Sequence, residues 1–264
     1  MQKIFRSIPL LVAGLFLLLT TNACIAQSYD VASNSKPVTH ETWDALLKKH
    51  VSAKGGVDYQ GFLLDSVKLN SYLKLLSDNH PNAKNWSRNE QLAYWINAYN
   101  AFTVKLVTKH YPVKSIKDIK KGVPFVNTVW DIKFIKIEGA TYDLNNLEHS
   151  IIRPKFNDPR IHFAVNCASG SCPNLLNEAF TAKRLDEQLD KVARSFLADK
   201  SKNKIASASK AELSKIFSWY KGDFTEKGQT LVGFINKYAP LKLDDKADIS
   251  YLDYDWSLNE EKKK

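Results

Sequence analysis

The sequence predicts an α+β domain that is mostly helical, with one long buried helix packed on a small antiparallel sheet. Three observations support this class. Residues 87–112 form a long stretch with helical periodicity, residues 130–144 alternate apolar and polar side chains about Gly139, and no regular alternation of strands and helices runs along the chain. Helices that are segregated from a small β element are typical of α+β proteins.

The first 26 residues predict an export signal. Lys3 and Arg6 precede the uncharged apolar run IPLLVAGLFLLL, which is too short for a good membrane-spanning helix. Cleavage after Ala26 would remove this segment. The alternative is a lipoprotein that is acylated at Cys24 and so held at a membrane, although the residues before Cys24 match a lipobox poorly. In both cases we expect a periplasmic or extracellular, oxidising location.

Composition and charge indicate a globular protein with a basic surface. The chain has 264 residues, of which 44% are hydrophobic and 25% charged, and a formal net charge of +10. The length predicts a single domain at residues 39–259, after a flexible polar leader at 27–38 and before a basic tail at 260–264. The charge suits anionic envelope material. We expect no nucleic-acid partner, because the lysines are dispersed and no recognition motif accompanies them.

Amphipathic segments account for most of the predicted helices. Apolar residues recur with helical spacing in residues 39–51, 63–78, 87–112 and 181–199, and residues 213–224 and 229–240 are two more apolar-faced segments. The third of these begins with Ser87 and Glu90 at the spacing of a capping box and ends at Pro112. It is apolar on most sides, which predicts a buried helix.

Shorter patterns complete the prediction. The alternation about Gly139 indicates a hairpin, and residues 145–154 predict a short helix that Pro154 stops. Residues 160–166, RIHFAVN, predict a buried strand. Residues 249–259, ISYLDYDWSLN, predict a closing strand or ordered loop, because their aromatic side chains require burial.

Three polar side chains lie close to one line along the long helix. Glu90, Asn97 and Asn100 share this line, because a step of seven residues returns almost to the same direction. A buried polar group without a partner costs about 1–3 kcal/mol. We therefore expect the line to face either protein backbone or a functional site. A capping box is the simpler explanation for Glu90, and a hydrogen bond to a neighbouring loop is the simpler one for the asparagines.

The stretch HFAVNCASGSCPNL, which begins at His162, contains the strongest chemical signal. Pro173 predicts the first turn of a helix over residues 173–180, with Cys172 as its cap. The helix dipole and free amides at such a position lower the pKa of a thiol and can hold an oxyanion. On the predicted strand His162 points away from Cys167. The pattern favours Cys172 as nucleophile and His162 as base, with His149 as the second candidate base.

Three interpretations of the two cysteines remain open at this point. A structural disulfide between Cys167 and Cys172 would constrain the short loop more than it stabilises the fold. Thiol catalysis is the second. The third is metal binding with His162, but the Cys-x4-Cys spacing is wider than in structural zinc sites. We expect no metal and no cofactor. The other histidines are expected at the surface: His40, His50, His80 and His110.

Four motifs resemble, in the right order, the exported bacterial branch of the family catalogued as domain of unknown function 547. They are NEQLAYWINAYNAFTVKLV, LNNLEHSIIR, DPRIHFAVNCASGSCP and YLDYDWSLN. The core of the resemblance covers residues 86–196. The wider grouping is similar to papain-like and transglutaminase-like cysteine hydrolases, which implies a helix packed on a small antiparallel sheet and a cysteine at the start of that helix. Here Glu90 stands near that position and His162 precedes Cys172, so the core would have to be permuted or the thiol chemistry lost.

Two functions are compatible with these observations. The first is an exported cysteine-dependent hydrolase or acyl transferase that acts on amide bonds in envelope or extracellular material. Its candidate catalytic residues are Cys172, His162 and Glu90, and its candidate substrate-binding residues are Asn97, Asn100, His149 and Asn166. The second is a non-catalytic envelope-binding module with a Cys167–Cys172 disulfide. In both, the partner is an envelope polymer or a peptide; the oligomeric state is not predicted.

Overall fold

The computed structural model describes residues 31–120 and 128–261. The export signal, Cys24 and the first part of the leader were predicted at positions outside these residues, as were the last three lysines. Helices dominate the described chain and short strands form two small sheets, which confirms the α+β class. Within the described ranges, no helix has the length and apolar character needed to cross a bilayer.

The helices agree closely with the amphipathic segments. They are α1 (Glu41–His50), α2 (Tyr59–Leu64), α3 (Ser66–Ser77), α4 (Arg88–His110), α5 (Arg153–Phe156), α6 (Leu185–Ala198), α7 (Ile216–Trp219), α8 (Lys221–Phe224) and α9 (Leu231–Tyr238). A π-helix (Asn146–Ile152) leads into α5, and 3-10 turns lie at Ile116–Asp118, Val129–Asp131, Pro159–Phe163 and Glu226–Gly228.

Two small sheets accompany these helices. The strands are β1 (Ile135–Ile137), β2 (Ala140–Tyr142), β3 (Lys204–Ser207), β4 (Lys210–Leu213) and β5 (Asp248–Tyr251). Strands β1 and β2 form the predicted antiparallel hairpin about Gly139. In the second sheet, β4 pairs antiparallel with β3 and parallel with β5. This second sheet was not predicted, except for a closing strand near the position of β5.

Helix α4 is the centre of the fold. Its start is fixed by the predicted capping box, in which Ser87 accepts from the Glu90 amide and Glu90 accepts from the Ser87 amide. The 23-residue helix, about 35 Å long, is buried on nearly every side. Trp95 reaches the hairpin at Tyr142, with ring centroids 6.1 Å apart. Because each large apolar side chain stabilises the fold by about 1.5–3 kcal/mol on full burial, α4 is the main support of the core.

The predicted strand over residues 160–166 is wrong. His162 lies in the 3-10 turn Pro159–Phe163, which begins where the Asp158 side chain accepts the Arg160 amide. Phe163 is fully buried in a cluster of phenylalanines that includes Phe217. A short apolar run does not distinguish a strand from a buried helical turn, and here the proline and its aspartate cap decide the conformation.

The predicted helix over residues 173–180 is also absent. The backbone of this segment is hydrogen-bonded by side chains from elsewhere instead of by its own turns. Asn166 binds the Pro173 carbonyl, and Asn97 binds both the amide and the carbonyl of Phe180. Buried backbone groups need partners, and these side chains supply them in an extended geometry. Cys172 is therefore not a helix cap.

Pro154 does not end the helix predicted over residues 145–154. It occupies the first turn of α5, where its missing N–H is tolerated, and the helix continues to Phe156. Asn157 ends it in the left-handed conformation, with φ 44°. The π-helix upstream contains Glu148 and His149, which bear on the site described below.

Both ends of the described chain are held more firmly than predicted. In the leader, Ser33 donates to Glu138, and Ser35 accepts from the Trp86 indole. At the other end, the C-terminal segment (residues 252–261) crosses the molecule: Asn259 donates to the Ala168 carbonyl, and Glu261 pairs with Val57. Residues on the outer side of both predicted limits, 39 and 259, therefore make hydrogen bonds with the rest of the described chain.

Candidate active site

A cavity of about 280 Å³ lies where the cysteine loop (residues 167–172) meets the π-helix, α7 and the C-terminal segment. Its chemically reactive lining consists of Cys167, Cys172, His162, His149 and Glu148. Its aromatic lining consists of Tyr99, Trp130, Trp219, Tyr220, Tyr254 and Trp256. The structure therefore brings both cysteines and His162 to one cavity, whereas the sequence led us to expect only Cys172 near His162.

The two cysteines are separate thiols in direct contact. Their sulfur atoms are 2.9 Å apart, and the Cys167 amide donates to the Cys172 sulfur, also at 2.9 Å. Cys167 is partly exposed and lies near the hydroxyls of Ser169 and Tyr254, at 3.3 and 3.5 Å from its sulfur. Cys172 is only 4% exposed. The predicted disulfide alternative is not formed here, but the loop holds the two thiols side by side.

The environment makes these thiols chemically unequal. The hydrogen bond with the Cys172 thiol lowers the pKa of Cys167 to about 7; burial opposes this, and the Ser169 and Tyr254 hydroxyls add to it. Burial raises the pKa of Cys172, and its contact with Cys167 raises it further. Only a thiolate is a strong sulfur nucleophile. The geometry thus favours Cys167, not the predicted Cys172, as the reactive thiol.

His162 is held by an acidic partner that the sequence did not identify. Its Nε2 lies 2.7 Å from Oδ2 of Asp223, and its ring stacks on Tyr220 with centroids 3.9 Å apart. Burial raises the pKa of Asp223, but hydrogen bonds from His162 and Arg153 outweigh it and keep that pKa well below its ordinary value. Nδ1 of His162 is buried without a protein partner among the described residues. An imidazole that is bound to a carboxylate at one nitrogen and has no partner at the other is the arrangement expected of a base.

A second polar group lies on the same wall. Glu148 is 7% exposed. Burial raises the pKa of the Tyr220 hydroxyl, and the nearby Glu148 carboxylate raises it further. His149 contacts Arg153 at 3.0 Å, and Arg153 forms two hydrogen bonds with Asp223. These contacts join His149, Arg153 and Asp223 into one network that ends at His162. His149 lies at the cavity, but its ring nitrogen is engaged with Arg153.

Aromatic rings form one side of the cavity. Tyr254 packs on Trp219 and Trp256, with centroids 4.7 and 4.6 Å apart. Trp219 is 48% exposed, and the Lys117 ammonium lies 4.6 Å above the Trp256 ring. A partly exposed group of tryptophans beside a cavity is a common feature of ligand-binding surfaces.

Glu90, predicted as a catalytic residue, is not part of this cavity. Its carboxylate binds the amide and hydroxyl of Ser87 in the capping box, and it lines a separate surface depression near Glu178 and Arg184. Its role at the start of α4 is therefore structural, which was the simpler of the two explanations offered by the sequence.

The three asparagines predicted to bind substrate are instead occupied by backbone. Asn97 is fully buried and both of its side-chain groups bind Phe180. Asn100 donates to the Ala164 carbonyl and accepts from the Asn166 amide, at 2.9 and 2.8 Å. Asn166 binds the Pro173 carbonyl and the Ala168 amide. Asn100 and Asn166 thus bind backbone groups next to both ends of the cysteine loop.

Several histidines expected at the surface are buried. His40 bonds the Tyr72 hydroxyl at 2.8 Å, His50 bonds Asp65 at 2.7 Å, and His80 is 3% exposed. None of these three lines the cavity that holds the cysteines. Over the described ranges, no group of three or more His, Cys, Asp or Glu side chains is arranged to hold a metal ion.

Much of the site was not predicted from the sequence. Asp223 and Tyr220 lie in the segment LSKIFSWYKGDF, which was interpreted only as an apolar-faced segment, and Glu148, beside His149, was not singled out. Tyr254 and Trp256 belong to the closing motif YLDYDWSLN, for which only burial was predicted. That motif offered a usable signal: a dense group of aromatic and acidic residues near a chain end is unusual for a solvent-exposed segment.

Comparison with known proteins gives one family. Residues 83–197 match the family model described as "Protein of unknown function, DUF547". Neither the curated proteins nor the solved structures gave a match, so the suggested likeness to papain-like and transglutaminase-like hydrolases stays a prediction. The matched residues include the cysteine loop, His162, Glu148 and helix α4. The match confirms, over residues 83–197, the resemblance to the DUF547 family that was predicted from the motifs.

Proposed function

We propose that the protein is a thiol-dependent hydrolase or acyl transferase that acts on amide bonds, with Cys167 as its nucleophile and His162 as its base. One observation supports this above the others. A partly exposed thiol with a lowered pKa and a histidine oriented by a carboxylate line the same cavity. A nucleophile, a base and a group that orients the base are the minimal set for covalent acyl transfer.

The chemistry assigns one step to each group. The Cys167 thiolate attacks the amide carbonyl carbon, a C–S bond forms, and the C–N bond breaks as the leaving amine takes a proton from the imidazolium of His162. Water then attacks the thioester while His162 accepts its proton, which releases the acid and restores the thiolate. Asp223 holds Nε2 of His162, so Nδ1, which is buried and has no protein partner among the described residues, is the nitrogen assigned to proton transfer. Such general acid–base help contributes about 10²–10⁴-fold to rate.

The lining of the cavity bears on the substrate. The Glu148 carboxylate and three tryptophans line the cavity, so a substrate with an amine near the reacting amide and an apolar or sugar face fits best. Peptides of envelope polymers combine these features, which agrees with the export predicted from the first 26 residues. We therefore extend the proposal to exported, amide-containing envelope material as substrate.

Matched cysteine variants test the proposal. The protein is incubated with soluble peptidoglycan fragments and with a set of peptide amides, and product release and protein mass are followed. Cys167→Ser should abolish turnover and the thioester adduct, whereas Cys172→Ser should retain both. Asp223→Asn should lower the rate by at least 100-fold without loss of the folded spectrum. Full activity of Cys167→Ser would disprove the assignment of the nucleophile.

A non-catalytic binding module is the second candidate, and the exposed aromatic group favours it. Trp219 and Trp256 lie beside one another with rings nearly parallel, at a centroid distance of 5.9 Å, and could stack on a sugar ring without any chemistry. In that case peptidoglycan fragments would shift the tryptophan fluorescence of the wild type and of Cys167→Ser equally, and no product would form with either.

A further inference from the structure

We propose that Cys167 and Cys172 form a redox-active dithiol that exchanges with disulfides of low molecular mass at the cavity. This activity is distinct from acyl transfer, because its substrate is a disulfide and not an amide. It differs also from the structural disulfide considered from the sequence, since the pair would cycle between thiol and disulfide states.

The geometry of the loop supports this proposal. The two sulfurs are in contact at 2.9 Å, and only one of them, that of Cys167, belongs to a partly exposed residue. Cys172 is 4% exposed and lies behind it. A disulfide that enters the cavity would therefore meet Cys167 first, with Cys172 already placed to complete the exchange.

The backbone of the cysteine loop also has an unfavourable conformation at one residue. Ala168 has φ 61°, in the left-handed region that non-glycine residues rarely occupy. Its amide is fixed by the Asn166 side chain, and its carbonyl accepts from Asn259 of the C-terminal segment. Residues in such strained positions persist only where the surrounding structure fixes them, and they concentrate at functional sites. Here the strained residue is the one that directs the chain from Cys167 back towards Cys172.

Hydrogen bonds from a buried lysine also fix the backbone of the cysteine loop. Lys202, only 7% exposed, donates to the Cys172 carbonyl at 2.7 Å and to the side chain of Asn174. This contact fixes the backbone at Cys172 while Asn166 and Asn259 fix it at Ala168. The two sulfurs are consequently kept together by bonds that come from three separate parts of the chain.

The exchange is balanced as follows. The Cys167 thiolate attacks one sulfur of an organic disulfide RSSR, so that a mixed disulfide forms and one RS⁻ leaves. Cys172 then gives its proton to the RS⁻ released in the first step and attacks the Cys167 sulfur, which releases the second RS⁻ and leaves a Cys167–Cys172 disulfide. The substrate disulfide is reduced to two thiols and the protein dithiol is oxidised. The lower pKa of Cys167 and the raised pKa of Cys172 suit an attacking and a resolving thiol respectively.

Redox titration of the full chain tests the proposal, in a Cys24→Ser background that removes the third thiol. The protein is equilibrated in glutathione buffers of graded ratio, quenched in acid, alkylated with N-ethylmaleimide and weighed intact. We expect a single transition between a doubly alkylated and an unalkylated form. Cys172→Ser should accumulate one glutathione on Cys167, and Cys167→Ser should react at least 10-fold more slowly with oxidised glutathione.

Two results would overturn the proposal: no intramolecular disulfide at any glutathione ratio, or equal reaction rates of the two single variants, each checked for a native circular dichroism spectrum. The readout is independent of amide cleavage. A normal titration with no turnover would reject only the hydrolase, whereas turnover without any titration would reject only the dithiol. If both hold, oxidation should stop amide cleavage and a reductant should restore it.

Discussion

Replacement of Asn100 by alanine is the most informative single test of how the site is built. The Asn100 side chain is 2% exposed and binds the Ala164 carbonyl and the Asn166 amide. In Asn100→Ala both backbone groups stay buried without a partner, at about 1–3 kcal/mol each. The free energy of unfolding should therefore fall by about 2–6 kcal/mol, a large share of the total stability of a domain.

Urea unfolding followed by circular dichroism measures this loss, and Asn97→Ala provides the matched control. Asn97 also binds one backbone amide and one carbonyl, both of Phe180, and is fully buried. We expect a similar loss of stability from both variants. Only Asn100→Ala should also change the alkylation rate of Cys167, because only Asn100 holds the backbone beside the cysteine loop.

A fall of less than about 1 kcal/mol in the free energy of unfolding of Asn100→Ala, with an unchanged slope against urea concentration, would refute this prediction. It would also be refuted if that variant kept full stability but lost ligand binding. The second outcome would restore the role in substrate binding that the sequence suggested for Asn100.

Three further predictions concern pH and backbone geometry. The pKa of Asp223 is lowered in the folded protein, so the contribution of its carboxylate to stability is present above about pH 4 and is lost in acid. Asp223→Asn should therefore reduce the difference between the urea midpoints at pH 7 and pH 3. An unchanged difference would contradict this. Burial lowers the pKa of His40 to about 4 from 6.5. The contribution of the neutral imidazole to the free energy of unfolding is complete above pH 6.5 and should decline by about 3 kcal/mol as the pH falls to 4. An NMR titration of the ring protons can follow the protonation. Gly55 has φ 80°, and a Cβ there would lie 2.3 Å from Cβ of Asn174. Gly55→Ala should therefore lower the free energy of unfolding by about 1–3 kcal/mol or more, measured by thermal unfolding. Gly139→Ala has the same unfavourable φ without the contact, so its loss of stability should be smaller.

Much of the helical part of the fold could be predicted from the sequence, because its signals are local. The capping box of Ser87 and Glu90 and the periodicity of the following residues define α4 without reference to the rest of the chain. The hairpin about Gly139 is equally local. The β3–β4 pair was missed because its sequence, KIASASKAEL, is rich in alanine and serine and has few of the β-branched residues that mark strands.

The site could be predicted only in part, because its geometry depends on contacts between distant segments. The motif around Cys167 and Cys172 was recognisable, and so was the importance of His162. The choice between the two thiols was not, since it depends on burial and on Tyr254, which lies 87 positions from Cys167. The pairing of His162 with Asp223, 61 positions away, left no trace in the local pattern either.

The C-terminal segment completes the cavity after the other lining residues have been synthesised. Its residues supply Tyr254 and Trp256 to the aromatic wall and bond the cysteine loop at Ala168, Gly170 and Ser171. Residues 252–261 are synthesised after all the other residues that line the cavity, so the cysteine loop would acquire these restraints only when they emerge. A stop codon introduced before residue 252 would then spare most of the helical core and still deprive the protein of its assembled pocket.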